Sequence, residues 1–110
     1  MTSFKFKYHK MDMDYIRALN DLRYVDSITQ QNLMKGLQLD VERLEFYRNN
    51  CKNSYDYGIY IDKCKRNLVV LKLIELYGKT DELKLQAVNY KTRIYRVFDQ
   101  EQIVVSNEFR

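Results

Sequence analysis

Residues 81–99 read DELKLQAVNYKTRIYRVFD, and no other stretch limits the fold as tightly. At the helical step of about 100° per residue, Leu83, Ala87, Tyr90, Ile94, Val97 and Phe98 fall within one arc of about 100°, the width of a core-facing stripe. The other side carries Lys84, Lys91, Arg93 and Arg96, and no acid lies between Glu82 and Asp99. One helix therefore offers a buried seam and a cationic outer face. Its rival is β: residues 92–98 are rich in β-branched and aromatic side chains and can pair with 103–109 as a hairpin.

Breakers are scarce along the rest of the chain. There is no Pro and only three Gly in 110 residues, so long helices are allowed. The length suggests one domain, residues 1–110, large enough to bury a core without staples. With 45% hydrophobic and 31% charged residues the chain reads as globular and soluble.

Residues 2–9 alternate strictly. Phe4, Phe6 and Tyr8 point one way; Lys5, Lys7 and His9 point the other. That is a half-buried strand, and its natural partner is the β-branched segment 103–109. Residues 12–23 carry Tyr15, Ile16, Leu19 and Leu22 at helical spacing, hence a short helix. Ser27, three residues before Gln30, fits a capping box that opens a long helix to about residue 50. Its main seam is Leu33, Met34, Leu37, Val41, Leu44 and Cys51. A thinner stripe of Ile28, Leu39 and Phe46 runs along the other side. Two stripes call for two neighbours, and Gly36 marks a close crossing or a break.

Residues 49–54 form the clearest loop. A third helix follows to about residue 77, with Tyr57, Ile61, Cys64, Leu68 and Leu71 on one face. From Leu68 onward it is apolar nearly all round, which signals burial. Lys72 and Glu75 share the side of the earlier apolar face. Either the helix rolls between neighbours, or residues 67–74 form a strand; the helix is favoured. Gly78 is placed as a C-cap and Thr80 as the next N-cap. The expected fold is thus mainly α: a small antiparallel bundle of three to four helices with short terminal strands. The alternative is α+β with a C-terminal hairpin.

Chemical equipment is sparse. His9, the single histidine, has no nucleophile beside it in sequence. Neither His9 with Asp12 and Asp14 nor Cys51 with Cys64 has the paired spacing of a zinc site. Both cysteines read as small core hydrophobes. The tripeptide at 78–80 looks like the end of a phosphate loop, but position 73 is Leu and a helix precedes it. Carboxylate pairs lie at helix starts, where the helix dipole explains them. We expect no catalytic residue, no metal and no cofactor, and hence no enzyme.

No secretory h-region or membrane span is visible, so the expected location is cytoplasmic, with no membrane partner. Net charge +4 allows a local patch for phosphates or an acidic partner. Two surfaces stand out. One is the basic face of Lys84, Lys91, Arg93, Tyr95 and Arg96, extended by Lys63, Lys65 and Arg66. The other is apolar and aromatic: Leu39, Phe46, Tyr55 and Tyr57, with Tyr60 near the loop. Lys, Asn, Tyr and Ile, which A/T-rich codons encode, are common. The composition suits a phage or mobile-element accessory protein that inhibits or regulates a host macromolecule by docking on a protein. A DNA-binding transcriptional regulator using the basic helix face, either reading extended by a homodimer, is the alternative.

Overall fold

The computed structural model describes residues 22–105, and three helices account for most of them: α1 (Ser27–Asn50), α2 (Tyr55–Tyr77) and α3 (Asp81–Gln100). A helical turn at 22–24 precedes α1. The expected helical bundle is present, and the described residues contain no strand. The expected strand at 2–9 and nearly all of the short helix at 12–23 lie outside the described residues, as does 106–109. Residues 103–105 have no regular structure. Residues 92–98 are helical, which overturns the C-terminal hairpin; residues 67–74 are helical too.

Side-chain pairings give the topology. Asn67 Nδ2 donates to Asp40 Oδ2 at 2.8 Å and Arg43 Nη1 to Tyr60 Oη at 2.7 Å, so α1 and α2 run antiparallel. The turn at 78–80 reverses the chain again, leaving α3 antiparallel to α2 and parallel to α1. Each helix packs on both others.

Local chemistry fixes the ends. Asp26, one residue earlier than the expected Ser27, caps α1: its Oδ1 accepts from the Thr29 N–H at 2.8 Å. Aspartate is as good a cap as serine, and the shift frees Gln30 for another task. Ser54 accepts from the Tyr57 N–H and Thr80 from the Leu83 N–H, both at 3.2 Å. Gly78 closes α2 by donating its N–H to Ile74 O at 2.8 Å. Its φ of −59° is ordinary. Glycine is required here by space, since a Cβ would stand 2.6 Å from the Ile74 carbonyl oxygen.

α3 ends in a Schellman turn. The Ile103 N–H reaches Phe98 O at 2.8 Å and the Gln102 N–H reaches Asp99 O at 3.3 Å. Gln102 supplies the left-handed residue, at φ 57°. Residues 99–102, the connection of the rejected hairpin, are therefore a helix terminus.

The core collects one face each of α1 and α3 and most sides of the second half of α2. α1 contributes Met34, Leu37, Val41 and Leu44; α3 contributes Leu83, Ala87, Ile94, Val97 and Phe98, all buried. Tyr90 of the expected α3 stripe is half-buried. α2 buries Cys64, Leu68 and Leu71, then Val69, Leu73 and Ile74 from other sides. The all-round apolar reading of its second half is met by a helix wedged between two neighbours.

Leu33 and Cys51, expected in the α1 seam, are exposed, because each lies off the arc that the neighbours cover. The stripe of Ile28, Leu39 and Phe46 has no neighbouring helix among the described residues: it points directly away from the core. Gly36 marks neither a break nor a crossing with a described residue; α1 runs straight through it, and an added Cβ would meet none of the described residues within 4 Å.

The cysteines divide. Cys64 is buried and its Sγ lies 3.7 Å from Asp40 O, while Cys51 is exposed after α1. Burial first, then the Asp40 and Glu45 carboxylates, pushes the Cys64 thiol up to about 12. A thiolate is the reactive form, so iodoacetamide at pH 8 should label Cys51 and spare Cys64 in the folded protein. Peptide mapping checks this; equal labelling would contradict it.

One buried polar side chain sits at the end of the bundle. Gln30 is fully buried. Its Nε2 donates to Leu22 O at 3.3 Å and Tyr77 O at 3.4 Å, and its Oε1 accepts from the Lys79 N–H at 2.8 Å. One amide thus joins the turn before α1, the last turn of α2 and the α2–α3 connection.

Candidate docking surface

Half of the cations on α3, Arg93 and Lys91, are spent on holding the bundle together. Arg93 grips Glu45 of α1 with both arms: Nε to Oε2 at 3.1 Å and Nη2 to Oε1 closer still. That carboxylate raises the Arg93 guanidinium above its ordinary value. Lys91 Nζ meets Glu75 Oε2 of α2 at 2.5 Å, and the lysine side chain is mostly buried. Tyr95, expected as an aromatic among the cations, is only 8% exposed. Two members of the row make no ion pair with a described residue: half-buried Lys84 and exposed Arg96. Arg96 borders a hollow of about 360 Å³ with Lys91, Thr92, Tyr95 and Asp99. The cationic stretch was legible in the sequence; its partners, forty-eight and sixteen residues away, were not.

A parallel clasp closes the other end. Glu101 accepts from Arg48 Nε at 3.1 Å and from Lys52 Nζ at 2.8 Å. First Lys52 and then Arg48 hold the Glu101 carboxyl below its ordinary value, as the Thr29 N–H does for Asp26. A depressed folded-state pKa stabilises above the unfolded value and is lost as pH falls through the folded one. Acidification below the ordinary values of 4.5 and 3.8 should therefore weaken the fold. Glu101→Gln should be less stable than wild type at pH 7 and should lose less on titration from pH 5 to pH 2. Urea midpoints across that range check this; identical pH profiles would contradict it.

The apolar and aromatic candidates fare differently. Tyr57 is in the core, 7% exposed, with its hydroxyl shut from solvent and without a hydrogen-bond partner among the described residues. Burial and then the nearby Glu101 carboxylate push its phenol up. Tyr55 stands out in solvent after the loop. Leu39 and Phe46 lie on the outer side of α1, 43% and 55% exposed.

What sequence reading missed is the cluster beside Phe46. Tyr47 of α1 stacks on Tyr60 of α2, with ring centres 5.6 Å apart and planes 13° off parallel. Phe46 meets the edge of Tyr47 at 5.4 Å. The Arg43 guanidinium donates to the Tyr60 hydroxyl and lies 5.7 Å from its ring centre. Lys63 Nζ sits 5.1 Å from the same ring. Arg43, Phe46 and Tyr47 share an α1 surface, and Tyr60 and Lys63 share an α2 surface. The i, i+3 and i, i+4 spacings were in the sequence, but only the antiparallel α1–α2 pairing brings the two sets together.

Stacked rings with a guanidinium lose little conformational freedom when a partner covers them. Such groups dominate the energetic centres of protein interfaces. No group of three or more metal-binding side chains occurs among the described residues, and no described helix is long and apolar enough to cross a membrane. No family model, curated protein or solved structure matches the chain.

Proposed function

We propose that this chain is a small non-enzymatic binding protein that docks on another protein through the outer surface of α1 and α2. The observation that carries this reading is the Phe46–Tyr47–Tyr60 stack with Arg43 and Lys63 against it. A pre-packed aromatic-cationic cluster on the surface of a small helical bundle is what an interface anchor requires. The A/T-rich codon usage implied by the composition supports an origin in a phage or mobile element, where the docking would inhibit or regulate a host macromolecule. A nucleic-acid reading through α3 draws on weaker support, because Arg93 and Lys91 already answer Glu45 and Glu75.

The test is capture from host lysate on tagged protein. Arg43→Ala with Tyr60→Ala should reduce recovery of the partner about tenfold or more, as removing an anchor of ~1.4 kcal/mol or larger requires. Lys84→Ala with Arg96→Ala should leave it unchanged. A salt-dependent gel shift with DNA that the second pair abolishes would replace this reading with the nucleic-acid one.

A further inference from the structure

The stripe on α1 has a symmetry that points to its occupant. Facing away from the core, the helix presents Ile28, Asn32, Lys35, Leu39, Glu42 and Phe46, at alternating steps of four and three. That is the spacing of a coiled-coil seam. All six are exposed; Ile28 is 66% exposed. The seam is complementary to itself when reversed about position 37. Ile28 and Phe46 lie nine residues on either side of that point, Asn32 and Glu42 five, Lys35 and Leu39 two.

We propose that a second copy of this chain covers the seam, with two α1 helices crossing antiparallel about a twofold axis near Gly36 and Gln38. In that register Ile28 packs on the partner's Phe46, and the Asn32 amide donates to the Glu42 carboxylate opposite. The Lys35 stem lies on Leu39 while its ammonium reaches that same Glu42. Gln38 Nε2 already holds Glu42 Oε1 at 3.2 Å on the seam. Gly36 then has a role that no described residue of its own chain gives it. A glycine in a helix interior costs about 1 kcal/mol relative to Ala, and here it keeps the backbone bare beside the crossing point. A crossing of this length lies at the low end of specific interfaces, roughly 1,000 Å² in total. The dimer is therefore weak and concentration-dependent. It goes beyond the docking reading and shares one residue with it: Phe46 meets the partner's Ile28 in the dimer, while Tyr47, Tyr60 and Lys63 lie to one side of the seam and stay available.

Sedimentation equilibrium of the full chain tests this. Wild type should pass from the 13.4 kDa chain mass toward twice that value as concentration rises into the high micromolar range. Leu39→Glu should stay monomeric. Glu42→Lys should also stay monomeric by setting like charges against Lys35, and adding Lys35→Glu should restore the dimer. Far-UV circular dichroism should show every variant folded. A wild type that stays monomeric at every concentration overturns the proposal, whether or not it captures another protein. So does a dimer indifferent to the charge reversal. Loss of partner capture on Arg43→Ala with Tyr60→Ala, without change in mass, bears on the docking reading alone.

Discussion

Gln30→Leu should destabilise the protein by about 3 kcal/mol. Leucine fills much of the same space, so little cavity is left. The loss comes from three backbone groups, Leu22 O, Tyr77 O and the Lys79 N–H, that the amide now satisfies. A buried group deprived of its partner costs about 1–3 kcal/mol; the groups at 77 and 79 are only partly buried and cost less, and groups sharing one side chain do not add fully. At about 4–8 °C per kcal/mol for a domain of this size, the melting temperature should fall by roughly 10–20 °C. Gln30→Glu should be worse at pH 7, because a buried carboxylate then faces two carbonyl oxygens. Burial raises the folded-state pKa of that carboxyl, so its penalty should shrink as pH falls through that raised value and be gone by about pH 4, where the unfolded state is protonated as well. Urea unfolding of the three proteins at pH 7 and pH 4 checks both signs. A loss under about 1 kcal/mol for Gln30→Leu would mean that water replaces the amide and that the junction does not depend on it.

Phe98→Ala should cost about 3–5 kcal/mol, the range for deleting a buried phenylalanine. Phe98 is fully buried in α3, and its carbonyl anchors the Schellman turn through Ile103. Ile103 packs against the same core, so the cavity should also loosen the end of α3. Phe46→Ala is the matched control. Its ring is about half exposed and touches Tyr47 at the surface, so the loss should stay near or below about 1 kcal/mol. Equal costs at the two positions would refute the assignment of inner and outer faces.

These two phenylalanines show what the sequence could and could not convey. Both sit in regular stripes of long amphipathic segments. Periodicity identifies such a stripe but not whether a neighbour lies on it. For α3 a single apolar stripe faced a side whose only charges between Glu82 and Asp99 are cationic, and five of its six expected core residues are buried; Tyr95, expected among the cations, is buried with them. For α1 two stripes competed. Only the packing of α2 and α3 shows that Met34, Leu37, Val41 and Leu44 face inward while Ile28, Leu39 and Phe46 do not. The β alternative at 92–98 rested on intrinsic preference, and the sixteen-residue helical period overrode it. Gln30 was read as half of a capping box because its spacing from Ser27 allowed it. Its partners at 22, 77 and 79 meet only when three chain segments converge. The candidate site was half legible for the same reason. Phe46 and Tyr60 drew notice on the aromatic surface and Lys63 on the basic one, but Arg43 and Tyr47 drew none, since their union depends on an antiparallel pairing that local spacing does not encode.

A photo-crosslinking amino acid placed once at Lys63, at the edge of the aromatic stack, and once at Arg96, irradiated in host cells, tests most directly where this protein meets its partner. The α1–α2 surface predicts a covalent adduct with one heterologous protein from position 63 and none from position 96. An adduct from position 96 to protein or nucleic acid, with position 63 silent, would contradict it and return function to the outer face of α3.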